Sequence, residues 1–521
     1  MTARALMVLG TGSHVGKSLT VAALCRLFVR AGYRVAPFKA QNMSLNSAAT
    51  TDGLEIGRAQ ALQAEAAGIP SSVHMNPVLI KPGGDRTAQI IVRGKVWQNL
   101  DARTYFGDRS ITLLPIVQES YRMLADANDV VVLEGAGSPA EINLKNTDIV
   151  NMRMAKLAGA PCVLVGDIDR GGVFASLLGT LELLDEEERR SIRGFLINKF
   201  RGDRSLLMPG VHAMERRLGI PCVGVVPWLD QLDLDEEDSA GFAVNIGLSW
   251  QAARESDALR IAVVAFPSIA NFTDFAPLAS EPSVALCYVR DSESLASAHI
   301  IVLPGSKQTV QDLRWLRERG FEQSLLSHVS NGGLLVGICG GLQMLGKEIL
   351  DPHEVESGGN EPGLNLLPLR TTLAPEKFTM PVRGELCSSR IFGVDIDPCE
   401  VHGYEIHMGQ TEYLPEAAPF ANIRREMSRD EIRDGCISMD RHVLGTYLHG
   451  VFDDDGFRHV FLSAARTALH LPPAGRFFGW RKHRERQLDR LADTFASAID
   501  LDSIFGLLNL PAAAACAEEA R

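Results

Sequence analysis

The sequence predicts an α/β protein made of two doubly wound domains, each with a mostly parallel sheet. Its 521 residues exceed what one hydrophobic core normally serves. Short apolar runs rich in β-forming residues alternate with helical patterns, which is typical of parallel strands joined by crossover helices. In chain order the runs are ALMVLG, YRVAPF, DVVVLEGAG, PCVLVGDID and GFLINKF, followed by LRIAVVAF, IIVLPGSK and GGLLVGICGGLQMLG.

Changes in composition divide the chain into four parts. The first domain spans residues 1–228. The stretch WLDQLDLDEEDSAG is acidic and poor in apolar residues, so we expect a linker over residues 229–258. The second domain then covers residues 259–456. Residues 457–521 are expected to form a helical extension, in which the charged run RKHRERQLDR favours a solvated helix face over a binding patch.

The composition narrows the classes of partner. A formal net charge of −12 disfavours nucleic acid or an anionic membrane as the main partner, because both are negatively charged. No run reaches the roughly 18 apolar residues of a membrane span, and the first residues lack the pattern of a secretory signal. Nine cysteines are scattered without a CxxC pair, so neither a metal cluster nor a disulfide framework is expected. These observations predict a cytoplasmic protein.

A glycine-rich loop, GTGSHVGKS, lies between the first predicted strand and the first predicted helix. This is the context of a phosphate-binding loop, where backbone N–H groups turn towards an anion, a lysine adds positive charge and a hydroxyl joins the shell of a magnesium ion. Thr11 stands where the usual pattern has its first glycine, and an ordinary glycine turn is the alternative. The predicted ATP-binding residues of the loop are Thr11, Gly12, Ser13, Val15, Gly16, Lys17 and Ser18.

Three residues outside the loop are candidates for the same site. Glu134 ends a very apolar strand, where a carboxylate faces the ligand crevice, so we expect it to hold magnesium together with Ser18. A helix N-cap role is the alternative for Glu134. Asp52 is another candidate magnesium ligand, although an Asp before Gly is nearly as typical of a turn. Asn198 follows a strand and is expected either to bind ATP through its amide or to form a turn.

A second constellation surrounds Cys339, which ends an apolar strand and precedes a glycine pair at the start of a helix. A sharp strand-to-helix turn exposes a nucleophile, and the positive end of a helix favours a thiolate. We predict Cys339 as the nucleophile, with N–H groups of Gly305 and Gly340 as an oxyanion hole. His449, after a short apolar strand, is the predicted base, and His407 is its rival. The alternative for Cys339 is a buried core cysteine.

The second half resembles the class I glutamine amidotransferase domains, in which a cysteine at such a turn and a distant histidine release ammonia from glutamine. Cys339 and His449 match those two positions. These domains usually carry a glutamate two residues after the histidine, where this chain has Val451. The resemblance therefore implies a Cys–His dyad, as in the branch of the superfamily that lacks the glutamate.

The first half is similar to dethiobiotin synthetase in its phosphate loop, which implies a P-loop synthetase domain. Its fusion to an amidotransferase domain is typical of the corrinoid amidases. Within that group the chain resembles the cobyric acid synthase family over roughly residues 5–455. The segments that carry the likeness are PFKAQNMSLNS, EIGRAQALQAEAAG, MNPVLIKPGGDRTAQ, EGAGSPAEINL, FPSIANFTDFAPL, LPGSKQTVQDL and GYEIHMG.

The resemblance implies a carbon–nitrogen ligase of cobalamin biosynthesis. Such an enzyme amidates the b, d, e and g carboxylates of adenosylcobyrinic acid a,c-diamide and gives adenosylcobyric acid. Each round uses ATP with Mg²⁺ and L-glutamine as nitrogen donor, and an acyl phosphate is the species that ammonia attacks. On this interpretation Lys39 neutralises phosphoryl charge, and Gln41, Asn42 and Asn46 bind the corrinoid substrate.

Three alternatives stay open at the level of sequence. One is cobyrinic acid a,c-diamide synthase, which shares both domains but is disfavoured by the segment KAQNMSLNS. Another is a regulatory or partitioning ATPase whose second domain is only a scaffold. Such switches commonly carry an additional lysine early in the loop, where this chain has Thr11, Gly12, Ser13 and His14. The third is a catalytically inactive binding module, which the presence of both Cys339 and His449 disfavours.

Overall fold

A computed structural model describes residues 3–83, 87–230, 232–234, 257–356, 358–425 and 430–511. The predicted fold class is confirmed, since each half of the chain is built around a six-stranded, mostly parallel sheet. Most of the predicted linker lies outside the described residues, and the domain boundaries stay predictions. Among the helices that the structure describes, none is both long enough and apolar enough to cross a membrane.

The central sheet of the first domain is entirely parallel. The strand that comes first in the chain lies inside the sheet. The next two strands of the sheet in chain order lie on one side of it and the last three lie on the other, so the winding reverses beside the first strand. In open sheets of this kind, ligands bind at the carboxyl end of the strands where the winding reverses. In spatial order the strands are Cys222–Pro227, Ile192–Phe200, Cys162–Asp167, Arg4–Gly10, Val130–Glu134 and Val35–Phe38.

Helices cover this sheet, and a small β-subdomain is inserted after its edge strand. The helices of seven or more residues are Lys17–Arg30, Arg58–Ala66, Leu114–Ala127, Met152–Ala158, Val173–Leu183 and Arg204–Leu218. The inserted subdomain consists of a hairpin, Ser47–Ala49 with Glu55–Gly57, and a sheet of Gln41–Met43, Val78–Pro82, Thr87–Val92 and Lys95–Asp101.

The central sheet of the second domain has five parallel strands and one antiparallel edge strand. In spatial order they are Val284–Val289, Leu259–Val264, Ile300–Leu303, Leu334–Ile338, Val443–Thr446 and Cys436–Ile437. The strand before the predicted nucleophile is fully buried, as its unbroken apolar run suggests. Helices Thr309–Glu318, Phe321–Ser330, Gly340–Leu345 and Asp455–Ala468 accompany this sheet.

Two four-stranded sheets and one two-stranded sheet, Arg390–Ile391 with Val394–Asp395, complete the described part of the second domain. The first contains Glu348–Asp351, Gly359–Pro362, Leu369–Thr372 and Gln410–Tyr413. The second contains Phe378–Leu386, Glu400–His407, Ala421–Arg425 and Glu431–Asp434. Strand Glu400–His407 matters for function, because it runs beside the loop that carries the predicted base.

The last helices return to the first domain. Trp480–Ala498 packs against Lys17–Arg30, and its buried side chains join the apolar core on one face of the first sheet. Leu501–Leu507 follows on the same side, and Phe505 contacts Phe28 with ring centroids 5.0 Å apart. The predicted helical extension is therefore divided: helix Asp455–Ala468 packs on the second domain, while the last two helices are part of the core that supports the phosphate loop.

The charged run RKHRERQLDR is only partly solvated. Arg484 is buried and its guanidinium binds Glu65 at 2.6 Å, while Asp489 and Glu485 accept from Arg26 on the first helix. The prediction of a solvated face is wrong for Arg484, because the helix docks through this side of the run. A charge pattern alone does not distinguish water from a neighbouring helix that carries the opposite charges.

Candidate active sites

The glycine-rich loop lies at the carboxyl edge of the first sheet and ends at the start of the first helix. Gly16 precedes that helix with a φ of 99°, a conformation that favours glycine. Lys17 folds back over the loop, where its Nζ donates to Gly12 O at 2.8 Å and to Gly137 O at 3.0 Å. The ammonium group therefore lies between the loop and the segment that follows Glu134.

Two of the predicted ATP-binding residues anchor the loop. The backbone N–H of Thr11 donates to Val165 O at 2.9 Å, which ties the loop to the adjacent strand. The amide Nδ2 of Asn198 donates to Val15 O at 2.9 Å, and Asn198 is buried. The structure thus places Asn198 within strand Ile192–Phe200 and beneath the loop, so it does not form a turn, and its contact with ATP stays a prediction.

Glu134 is the centre of a buried polar cluster. Its Oε1 accepts from the Ser18 hydroxyl at 2.8 Å and from Lys39 Nζ at 3.0 Å. Its Oε2 accepts from Gln63 Nε2 at 2.6 Å and more weakly from Gln60 Nε2 at 3.4 Å. Glu134 and Lys39 are 1% and 3% exposed, so their charges interact with little screening by water. The two glutamines carry no local sequence signal, and helix Arg58–Ala66 brings them to the end of this strand.

The donor chemistry of this cluster fits magnesium. A serine hydroxyl and a carboxylate oxygen lie 2.8 Å apart at the end of the phosphate loop, and both are oxygen ligands of the kind that Mg²⁺ prefers. In the part of the chain that the structure describes, no group of three His, Cys, Asp or Glu side chains is arranged for a metal. Magnesium bound with ATP does not require such a group, because phosphates and water supply most of its ligands.

Asp52 lies in the turn of the hairpin Ser47–Ala49 with Glu55–Gly57. The Thr50 hydroxyl donates to its Oδ1 at 2.5 Å, which is the local contact of a turn-forming residue. The structure therefore gives Asp52 the surroundings of the alternative noted from sequence, and its magnesium role stays a prediction.

The polar residues expected to bind the corrinoid lie next to the Glu134 cluster. Gln41 accepts a hydrogen bond from the Tyr105 hydroxyl at 2.5 Å. Asn42 is buried and donates to Gln60 Oε1 at 3.0 Å, and Asn46 is also buried. Asn42 thereby supports a residue that contacts Glu134. Direct contact of these side chains with substrate stays a prediction.

Cys339 occupies a strained turn between strand Leu334–Ile338 and helix Gly340–Leu345. Its φ of 51° and ψ of −105° lie outside the regions that non-glycine residues favour. Its backbone N–H donates to Thr446 O at 2.8 Å, and its thiol lies 3.5 Å from Ile406 O. This is the strand-to-helix elbow that the sequence predicts for the nucleophile.

His449 is joined to both the thiol and a carboxylate. Its imidazole interacts electrostatically with Cys339, which lines the same cavity, and its Nδ1 lies 2.6 Å from Asp274 Oδ2. Asp274 Oδ1 also accepts from the backbone N–H of Gly450 at 3.1 Å. The predicted pair Cys339–His449 is thus accompanied by Asp274, a carboxylate in contact with the histidine that the sequence did not identify. Val451 leaves the usual glutamate position apolar, and an Asp from a turn far away in sequence orients the histidine.

Backbone and ring contacts fix the position of His449. Its N–H donates to Tyr404 O at 2.9 Å, and its O accepts from Tyr404 N–H at 3.0 Å, which ties it to strand Glu400–His407. The Tyr404 ring also stacks on the imidazole with centroids 5.6 Å apart. A histidine held by backbone, ring and carboxylate keeps the orientation that proton transfer requires.

The electrostatics of the site favour a protonated imidazole. Burial lowers the pKa of His449, but the negative charges of Asp274 and the Cys339 thiolate, with their hydrogen bonds, outweigh it and raise the pKa to about 10. An imidazolium beside a thiolate is the reactive ion pair of cysteine nucleophiles. The same imidazolium is positioned to protonate a leaving amine.

Two glycines, Gly305 and Gly340, lie where the chain packs closely around the nucleophile and leaves no room for a side chain. A Cβ atom on Gly305 would lie 3.1 Å from the His449 ring and 3.2 Å from Ala270 O. A Cβ atom on Gly340 would lie 2.9 Å from the backbone nitrogen of Ser306. The loop at Gly305 and the helix start at Gly340 are therefore packed closely around the nucleophile, and the donation of their N–H groups to an oxyanion stays a prediction.

His407, the rival base, has a different environment. Its ring stacks on Tyr447 with centroids 4.0 Å apart, Nδ1 lies 3.1 Å from Gly409 O, and Nε2 lies 3.3 Å from Glu405 Oε1. It lines the same cavity as Cys339, but its ring nitrogens are directed to these oxygens. The geometry therefore favours His449 as the base.

Comparisons with known proteins agree with this pair of sites. Residues 260–457 match the family described as CobB/CobQ-like glutamine amidotransferase domain, and residues 6–240 match the family described as CobQ/CobB/MinD/ParA nucleotide binding domain. A cobyric acid synthase of Desulforudis audaxviator is 48% identical over 512 residues, which cover 98% of this chain and 100% of the relative. Cobyric acid synthases of Thermoanaerobacter sp. (strain X514) and Citrobacter koseri are 45% and 47% identical, over 96% and 97% of this chain and 98% of each relative.

The Asp274→Asn variant tests the third member of the thiol site. We expect it to lower kcat for glutamine hydrolysis by about two to four orders of magnitude, because the imidazole loses its orienting carboxylate. Asp274 also raises the pKa of His449. Its neutralisation should therefore move the alkaline limb of the pH–rate profile to lower pH. Glutamate release measured between neutral and alkaline pH gives both quantities.

Asp291→Asn is the matched control, since Asp291 is an exposed carboxylate of the same domain that caps a turn at Ser294. This control should retain the wild-type profile. An Asp274→Asn enzyme with an unchanged alkaline limb and kcat would show that Asp274 does not act on His449.

Proposed function

The chain belongs to the cobyric acid synthase family, and we propose that it amidates the b, d, e and g carboxylates of adenosylcobyrinic acid a,c-diamide to give adenosylcobyric acid. Glutamine supplies the nitrogen and ATP supplies the driving force. The observation that carries the proposal is the presence in one chain of a thiol site, Cys339–His449–Asp274, and a phosphate-loop site centred on Glu134. Each site performs one half of an amide synthesis.

The thiol site releases ammonia from glutamine. The Cys339 thiolate attacks the carboxamide carbon, and N–H groups near Gly305 and Gly340 stabilise the oxyanion that forms. The His449 imidazolium donates its proton to the departing nitrogen, so that ammonia leaves and a thioester remains. His449 then takes a proton from water, which attacks the thioester and releases glutamate.

The phosphate-loop site activates the acceptor. A corrin carboxylate is too poor an electrophile for ammonia, so one of its oxygens attacks the γ-phosphorus of ATP to give an acyl phosphate and ADP. Ammonia then attacks the acyl carbon, phosphate leaves with the C–O bond electrons, and one proton of the ammonia passes to the departing phosphate. Lys17 and Lys39 are the cations placed to offset charge on the transferred group, since both lie beside the loop and Glu134.

Ser18 and Glu134 would hold magnesium at this site. When bound, the ion neutralises phosphate charge and orients the γ-phosphoryl group. Lys39, Gln60 and Gln63 each donate to Glu134 and so fix the carboxylate that faces the loop. The two alternatives without amidation chemistry are disfavoured, because a scaffold or an inactive module has no need of a complete Cys–His–Asp arrangement.

The Cys339→Ala variant tests the division of labour. We expect it to lose amidation with glutamine, by about a factor of 10³ or more, while amidation with added ammonium salt continues, because the thiol serves only glutamine. Mass spectrometry of the a,c-diamide corrinoid incubated with MgATP and either nitrogen source provides the measurement. Each amidation replaces OH by NH₂ and lowers the mass by about one unit.

Cys436→Ala is the matched control, since Cys436 is a fully buried cysteine of the same sheet. It should retain both activities. Failure of ammonia-driven synthesis in folded Cys339→Ala would contradict the division of labour, and absence of any mass change with the wild-type enzyme would contradict the substrate.

The Glu134→Gln variant tests the phosphoryl-transfer site, as Cys339→Ala tests the thiol site. We expect it to lose amidation with both glutamine and ammonia, by about a factor of 10² or more, because a neutral amide neither binds magnesium well nor balances Lys39. Basal glutamine hydrolysis at the thiol site should persist. Asp126→Asn, which changes an exposed carboxylate on helix Leu114–Ala127 of the same domain, is the control that should keep both activities. Glu134→Gln with wild-type amidation would exclude Glu134 from the phosphoryl-transfer site.

A further inference from the structure

A hairpin of the first domain touches the residues that hold the catalytic histidine. The backbone N–H of Ser47 donates to Asn271 Oδ1 at 3.0 Å, and the Tyr404 hydroxyl donates to Ser47 O at 3.3 Å. Asn271 lines the cavity of Cys339, and Tyr404 stacks on His449. The first domain is therefore in direct contact with residues that line the thiol cavity and hold the catalytic histidine.

The second strand of the same hairpin carries a buried carboxylate between two lysines. Glu55 is 1% exposed, and its two oxygens lie 2.5 Å from Lys81 Nζ of the first domain and 2.5 Å from Lys377 Nζ of the second. Both lysines line the cavity that contains Cys339. One carboxylate thus joins the two domains at the wall of the cavity in which ammonia is released.

The charge of this wall depends on Glu55. Burial lowers the pKa of Lys377 to about 7, although the charge of Glu55 acts to raise it. Burial and the neighbouring Lys81 lower the pKa of Lys307, another lysine of the cavity, to about 8. Glu356 also lines the cavity and acts on Lys307, but Glu55 is the carboxylate paired with both Lys81 and Lys377, so a change in its position alters how this wall is charged and packed.

The hairpin continues directly into the helix that supports the phosphoryl-transfer site. Glu55 is followed after five residues by Gln60 and after eight by Gln63, and both glutamines donate to Glu134. A ligand that engages Glu134 must compete with or reorganise these hydrogen bonds. Residues 47–63 therefore connect the phosphate-loop site to the thiol cavity through one short, well-packed segment.

We propose that Glu55, held between Lys81 and Lys377, is a positioning residue that couples the two half-reactions. Through the segment 47–63 it transmits the state of the Glu134 site to the wall of the thiol cavity, so that glutamine is hydrolysed in step with amide formation. This inference rests on the proposed function. It assigns a role in the reaction to Glu55, whose carboxylate binds Lys81 and Lys377 rather than the nucleophile or the phosphate loop.

The test compares glutamate formed with amide formed, in the full chain with MgATP and the a,c-diamide corrinoid. We expect the ratio to be near unity in the wild type and to rise about fivefold or more in Glu55→Gln, the low end of typical coupling between sites. Ammonia-driven amidation should stay within about twofold of wild type, because the phosphoryl-transfer residues are unchanged. Lys377→Met, which removes the partner from the second domain, should also raise the ratio and provides the test where Glu55→Gln does not fold.

Glu281→Gln is the matched control. Glu281 is also 1% exposed and pairs with an arginine, Arg458, at 2.8 Å, but both belong to the second domain. It should keep the wild-type ratio. A wild-type ratio in folded Glu55→Gln or Lys377→Met would overturn the proposal, as would an equal loss of ammonia-driven amidation. A wild-type enzyme that forms no amide from glutamine would instead refute the proposed function.

Discussion

The hydrogen bond between Asp274 Oδ2 and His449 Nδ1, 2.6 Å long and buried, is the interaction on which the thiol site depends. It fixes which imidazole nitrogen faces the thiol, and it supports a positive charge on a ring that burial alone would keep neutral. The same carboxylate accepts the N–H of Gly450, so it also fixes the backbone beside the histidine. The remaining requirements of Cys339 come from backbone geometry, through the strained turn and the helix that follows it.

The first domain uses the same physical solution with different groups. Glu134 is the last residue of a buried parallel strand, and Cys339 directly follows another such strand. Side chains at these positions emerge at the edge of the sheet that ligands reach. Lys39 balances the negative charge of Glu134, and amide donors orient its carboxylate. In the same way, Asp274 balances the positive charge of His449. Each domain therefore holds one buried, compensated ion pair at its active edge. Such pairs retain their geometry because leaving either partner uncompensated is costly.

The sequence was sufficient to predict the site where the residues that form it are consecutive in the chain. The phosphate loop and the elbow at Cys339 are local patterns whose flanking strand and helix can be read directly, and both have the predicted geometry. Asp274 was missed because its partner lies 175 residues further along the chain, and only the order of strands brings the two together. Asn198 was expected to follow a strand, but it lies within strand Ile192–Phe200. Its amide binds a loop carbonyl, a contact that no local pattern specifies, and its contact with ATP stays a prediction.

The two sites act as one enzyme only if nitrogen released at Cys339 reaches the corrin carboxylate before it mixes with the solvent. The most direct measurement supplies glutamine labelled with nitrogen-15 in its amide group, in a buffer that contains unlabelled ammonium, and reads the isotope content of the corrinoid amides by mass spectrometry. We expect the new amides to carry the label of glutamine. Amides that carry the isotope composition of the buffer would contradict transfer between the domains and leave two independent activities in one chain.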